Sequence, residues 1–151
     1  MRVWRLAKAR YPALDGEGAR LAGARWNSPG IAIVYTAGSL ALAALELRVH
    51  IERPELVPRD LTAFGIDVPD AFRLDVLAVD AELPDDWRTP DHPACRAAGD
   101  RWARSGQTAV LRVPSAVVPV ESNYLINPRH PDAGAIRVVA RHAFGFDPRL
   151  F

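Results

Sequence analysis

Trp26-Asn27-Ser28-Pro29-Gly30-Ile31-Ala32-Ile33-Val34-Tyr35-Thr36-Ala37-Gly38-Ser39-Leu40-Ala41-Leu42-Ala43-Ala44-Leu45 is a run of twenty residues without a charge. That is the length of a membrane span. Read as one apolar helix, it would place the chain in a bilayer. The breakers Asn27, Ser28, Pro29, Gly30, Gly38 and Ser39 instead divide it into a turn, a short strand and the start of a helix. Ile31 to Tyr35 is a β-branched run short enough for a buried strand. Ser39 can cap a helix from about Leu40 to Val49 by offering its hydroxyl to the first free backbone N–H groups. Because that helix is apolar almost all round, the pattern predicts that it lies inside the domain.

Glu46 interrupts this apolar helix, one turn past Leu42 and one turn before His50. A carboxylate on such a surface must be paired, hydrogen-bonded or neutral, since leaving it charged and alone costs several kcal/mol. Two readings follow. Either Glu46 closes a structural ion pair, or it is an acid lining a cleft.

Outward from this segment, short strands and helices alternate irregularly. Arg2 to Leu6 reads as a strand, followed by a polar connection through Asp15-Gly16-Glu17-Gly18. Leu61 to Val68 and Phe72 to Val79 read as short strands among Pro-bounded turns. A helix is expected from about Pro93 to Ser105, ended by Gly106. Thr108 to Val113 makes another strand, Pro114 to Pro119 continues extended, and Asn123 to Pro128 leads into the turn at Arg129 to Asp132. Ile136 to His142 is a last strand before an aromatic tail at Phe144, Phe146 and Phe151. The chain reads as one domain spanning 1–151, with no repeat and no linker.

Composition narrows the function. The chain has 151 residues, 49% hydrophobic, and 19 basic residues against 18 acidic ones, for a net charge of +1. No charge excess recruits nucleic acid or an anionic membrane. Cys95 is the single cysteine, which excludes an internal disulfide and a cysteine-based zinc site and fits a reducing compartment. Met1 to Arg10 carries four basic residues with no apolar core behind them, so a cytoplasmic protein is expected.

Several chemistries fail at once. There is no P-loop, no pair of histidines at metal spacing and no Gly-x-Ser-x-Gly elbow, and the glycines at 16 and 18 lack the third of a dinucleotide fingerprint. His50, His92, His130 and His142 are scattered and are expected on the surface or as caps. Arg25 sits before the tight turn, where a guanidinium can hold an anion through two donors while Trp26 offers a stacking face; a structural salt bridge is the alternative. Tyr35 is either a core tyrosine with a satisfied hydroxyl or part of the same site. Ser115 and Ser122 are ordinary loop serines taken singly, and Asn123 and Asn127 turn formers.

Taken together, Val3-Trp4-Arg5, Gly23-Ala24-Arg25-Trp26-Asn27, Ile33-Val34-Tyr35-Thr36, Leu42-Ala43-Ala44-Leu45-Glu46, Val113-Pro114-Ser115 and Asn123-Tyr124-Leu125-Ile126-Asn127-Pro128-Arg129-His130-Pro131 resemble the RES-domain toxins of bacterial RES/Xre toxin–antitoxin pairs. The resemblance runs over essentially the whole chain and is thinnest from Arg53 to Thr108. Gly23-Ala24 departs from it, since many relatives carry two glycines before the arginine. It implies an α+β fold, one compact domain similar to ADP-ribosyltransferases of the diphtheria-toxin type, and an activity that breaks the nicotinamide–ribose bond of NAD. Phosphate, water or a protein side chain would receive the ADP-ribosyl group.

Carried over residue by residue, the resemblance places the family's arginine, glutamate and serine on Arg25, Glu46 and Ser115 as catalytic residues, with Ser122 the alternative serine. Arg5, Trp26, Tyr35, Asn123 and Asn127 join Arg25 and Ser115 as residues binding NAD. Glu46 would stabilise positive charge on the ribose, Arg25 would hold the pyrophosphate or incoming phosphate, Tyr35 would stack on nicotinamide, and Ser115 would orient the ribose or the amide. No metal is expected, because the leaving group in NAD already carries positive charge. An NAD-consuming enzyme endangers its own cell, so an Xre-like antitoxin partner is implied. The alternatives are a protein ADP-ribosyltransferase using the same pocket and a non-catalytic binding module in which Arg25 and Glu46 form a closed pair.

Overall fold

A computed structural model describes all residues from Met1 to Phe151. The charge-free run divides at its breakers: a turn at Pro29-Gly30, a strand Val34–Ala37 (β2) and a helix Leu40–Arg48 (α2). No helix is long and apolar enough to cross a membrane. The strand begins three residues later than the pattern suggests because Ile31 is still bonded into the turn, its N–H to the Ser28 carbonyl and its carbonyl to the Asn27 side chain. Ser39 caps α2 by accepting from the Leu42 N–H at 3.1 Å.

Before this region come the strand Arg2–Lys8 (β1) and the helix Glu17–Ala22 (α1). After it come strands Leu61–Asp67 (β3) and Leu74–Val76 (β4), the helices Val79–Glu82 (α3) and Pro93–Ser105 (α4), and strands Val110–Pro114 (β5), Ser122–Ile126 (β6) and Arg137–Phe144 (β7). The seven strands form one mixed sheet in the order β4-β5-β6-β2-β1-β3-β7, in which only β4 and β5 run parallel. The α+β class that the resemblance implies is what forms. Leu111 and Leu125 face one core with Trp26, Trp87 and Trp102, while their neighbours Val110 and Ile126 face the opposite core with Val3 and Phe64, as strand alternation requires.

Several expectations are corrected. Pro114 ends β5 as an extended residue, but 115–119 do not continue it: they form the turn of the β5–β6 hairpin, closed by the Ser115 N–H on the Glu121 carbonyl. Asn123 lies on β6 rather than in a turn, and α1 replaces part of the supposed connection, beginning at Gly16 in the left-handed region with φ 66°. Helix α2 is not enclosed. It packs through Leu42 and Ala43 and leaves Leu45 and Val49 exposed. Burying Leu42 stabilises this docking by about 1.5–3 kcal/mol.

Two features position the site. Strands β1 and β2 pair only at Trp4↔Ala37, so the sheet has a seam where its two halves meet. Helix α4 presses on the loop before β2: a Cβ at Gly99 would stand 1.7 Å from the Trp26 carbonyl oxygen, and Asp100 accepts from both the N–H and the hydroxyl of Ser28.

Candidate active site

A cavity of about 590 Å³ opens at the seam, within the range of small-ligand sites. Arg5 from β1, Arg25 from the loop, Tyr35 from β2, Glu46 from α2 and Asn123 from β6 all line it. Trp4, His50 and Asp91 line it too, and sequence reasoning singled out none of the three for the site.

Glu46 is held through one oxygen. Its Oε1 accepts from the Ser115 hydroxyl and from the Asn123 amide, each at 2.6 Å. Its Oε2 accepts nothing from the protein, and Glu46 takes part in none of the ion pairs of the fold. The closed Arg25–Glu46 pair is therefore absent. The remaining Asn123 oxygen is buried without a partner, an acceptor left over beside the carboxylate.

Ser115 is fully buried, so it does not reach a ligand as expected. Its hydroxyl donates to Glu46 and accepts from the N–H groups of Val117 and Val118 at 3.1 and 3.0 Å, which uses its one proton and both lone pairs. It acts on the site through Glu46. Ser122, the alternative serine, opens β6, where its backbone carbonyl accepts from the Gly38 N–H. Asn127 is also corrected: it lies off the cavity, donating to the Ala103 carbonyl and accepting from the Arg129 N–H, and so ties the end of β6 to α4.

Arg25 fits neither the free anion fork nor the salt bridge. Its Nη1 donates to the carbonyls of Trp87 and Thr89 at 3.1 and 3.2 Å, and its Nη2 to that of Arg88 at 3.3 Å. Two of its five N–H groups remain outside these bonds. Arg5 is the opposite case. One bond from Nη1 reaches the Tyr35 carbonyl, its Nε is buried without a partner, and no carboxylate pairs with it. Burial pushes the Arg5 guanidinium below its ordinary pKa, and the charge of Asp15 offsets this only in part.

Tyr35 turns its ring to the cavity and its hydroxyl inward, donating to Asn27 Oδ1 at 2.7 Å and accepting from the Trp26 N–H at 3.0 Å. Burial drives the phenol well above its ordinary pKa, so it stays neutral. Trp26 contributes to the cavity lining as expected, but it is only 2% exposed and its indole packs at a tilt on Trp87, which leaves little of the ring open for stacking. Asn27, which the sequence reading left without a role of its own, is the hub of the loop: its amide donates to the carbonyls of Ala19, Ser28 and Ile31. His92 and His130 cap helices, as expected of scattered histidines.

Residues 2–147 match the RES domain. The chain belongs to the RES-domain toxin family. Among curated relatives, this RES domain is 44% identical over 155 residues to the "Prs ADP-ribosylating toxin" of Sphingobium sp. (strain YBL2), covering 97% of this chain and 94% of that protein. It is 39% identical over 154 residues to the "Toxin Res" of Photorhabdus laumondii, covering 99% and 97%. A chain in the crystal structure of the M. tuberculosis MbcT–MbcA toxin–antitoxin complex superposes with a TM-score of 0.76 at 22% identity, over 95% of this chain and 83% of that one, which establishes a shared fold. In this RES domain it is Ser115, not Ser122, whose hydroxyl bonds to Glu46.

Proposed function

We propose that this RES domain is the toxin of a toxin–antitoxin pair and that it cleaves the bond between nicotinamide and ribose in NAD. The observation that carries this reading is Glu46, a carboxylate fixed through Oε1 on the wall of the seam cavity with Oε2 unengaged. In the proposed reaction the bond from ribose C1′ to the pyridinium nitrogen breaks, its electron pair leaves with nicotinamide, and positive charge grows on the ribose ring. A fixed anion beside that ring stabilises the transition state more than the ground state, because the charge it meets is only then forming. Glu46 Oε2 is also available to accept from a ribose hydroxyl.

The other residues supply binding. Arg5, a buried cation with no protein anion, takes the pyrophosphate. The Tyr35 ring, locked by its hydroxyl, stacks on nicotinamide, and the spare Asn123 oxygen accepts from the nicotinamide amide. The seam between β1 and β2 is read as the counterpart of the cleft in ADP-ribosyltransferases of the diphtheria-toxin type. Phosphate or water completes the reaction at C1′. An Xre-like antitoxin covering the cavity in the cytoplasm is part of the same proposal, and the shared fold with a toxin–antitoxin complex supports it.

A second reading, transfer of ADP-ribose to a protein, is favoured by the name of the Sphingobium relative. Mass-resolved analysis of antitoxin-free protein with NAD, with and without inorganic phosphate, tests both. Nicotinamide release with a phosphorylated ADP-ribose is expected in phosphate, and free ADP-ribose without it. NAD consumed only when cell extract is added, with ADP-ribose appearing on a protein, supports the second reading. Intact NAD under every condition, from folded protein, leaves the non-catalytic module.

A further inference from the structure

Arg25, Ser115 and Glu46, the arginine, serine and glutamate that the family resemblance points to, are joined by one path of hydrogen bonds and short backbone links, and the path runs through a residue with no assigned role. Arg25 holds the carbonyls of Trp87, Arg88 and Thr89. Arg88 then donates from Nε to the Ala116 carbonyl at 2.9 Å. Ala116 directly follows Ser115, whose hydroxyl gathers the N–H groups of Val117 and Val118 and donates to Glu46.

Segment 87–91 is thus a strap stitched to the body at both sides. Trp87 is buried, and its carbonyl also accepts from Cys95 Sγ at 3.4 Å. Asp91 sits at φ 57°, in the left-handed region that non-glycine residues rarely adopt, and Arg96 holds its carboxylate at 3.2 Å. Pro90 and Asp91 from the strap and Ala116 and Val117 from the hairpin turn form adjoining parts of the cavity wall. Arg88 is the stitch between the two.

We propose that Arg88 is a positioning residue, and that Arg25 acts on Glu46 through the strap and Arg88 rather than by holding the substrate's anion. Three carbonyls on one guanidinium, with no carboxylate in its ion-pair shell, describe an anchor for backbone. The chemical consequence rests on the NAD-cleaving reading; the mechanical coupling does not.

The test compares Arg88→Ala, Arg88→Lys and Arg25→Lys, alone and combined, in the full chain. Arg88 is exposed, so its replacement leaves the core untouched. Exchange of the Val117 and Val118 amide hydrogens is expected to quicken about tenfold in Arg88→Ala, the signature of roughly a tenfold loss of local protection. On NAD, kcat for nicotinamide release is expected to fall about tenfold with KM unchanged, Arg88→Lys to recover part of it, and the double variant to be no worse than the worse single one. Unchanged exchange at Val117 and Val118 overturns the coupling even if NAD is never cleaved. Independent, multiplying effects of Arg25→Lys and Arg88→Ala, or an Arg25→Lys whose loss lies in KM alone, overturn it by making Arg25 a direct ligand.

Discussion

The two sides of the seam cavity are built on opposite principles. On the Glu46 side, a charged group is fixed by neutral donors at one oxygen and left open at the other. On the Arg25 side, a charged group spends most of its donors on backbone carbonyls and holds the wall in place. Arg5, deep in the seam, resembles Glu46 in being charged and incompletely satisfied. Uncompensated charge is expensive inside a protein, so where it persists beside a cavity it marks the groups kept for a ligand. Satisfied charge marks the frame.

The sharpest way to break this contrast is Glu46→Gln, which keeps the shape and the two hydrogen bonds from Ser115 and Asn123 and removes the anion. Nicotinamide release should fall by about 10²–10³-fold with the circular dichroism unchanged. Ser115→Ala should come next. It leaves two N–H groups of the turn unsatisfied and frees one anchor of Glu46, so urea unfolding should register a loss of about 1–3 kcal/mol and the cleavage rate should fall about tenfold. A rate equal to wild type would mean that Asn123 alone positions the acid.

Arg5→Met separates ligand from frame most cleanly. Removing an unpaired, desolvated cation should leave thermal stability equal or higher, while KM for NAD rises about tenfold through loss of a charged hydrogen bond. A fall in stability with KM unchanged would move Arg5 to the frame. The smallest effect on chemistry is expected of Tyr35→Phe. Losing the hydroxyl between Asn27 and the Trp26 N–H should cost about 1–3 kcal/mol in denaturant titration, with nicotinamide release preserved because the ring remains.

What was legible in the sequence divides along the same line. Ser39 and Gly106 mark their helix ends because capping is local, a matter of a hydroxyl or a left-handed glycine within one turn. Glu46 stood out because a carboxylate in an apolar helix has few neutral explanations. By contrast, β6 was hidden because Ser122, Asn123 and Tyr124 lack an apolar alternation and gain their strand from β2 and β5 on either side. Helix α1 was hidden because Gly16 supplies no side-chain cap.

Partners distant in sequence were equally invisible. Ser115 and Glu46 lie 69 residues apart, and Arg25 reaches carbonyls 62 to 64 residues away, through the least diagnostic part of the chain. Asn123 and Asn127 differ only in where they fall along one strand and its exit. The first meets Glu46, the second meets α4, and neither fate is written in the residue type.

The most direct measurement is NAD binding by Glu46→Gln, titrated calorimetrically beside its nicotinamide release. A carboxylate that acts on the transition state should leave affinity near that of wild type while cleavage is lost. Cleavage at the wild-type rate by Glu46→Gln would contradict the account.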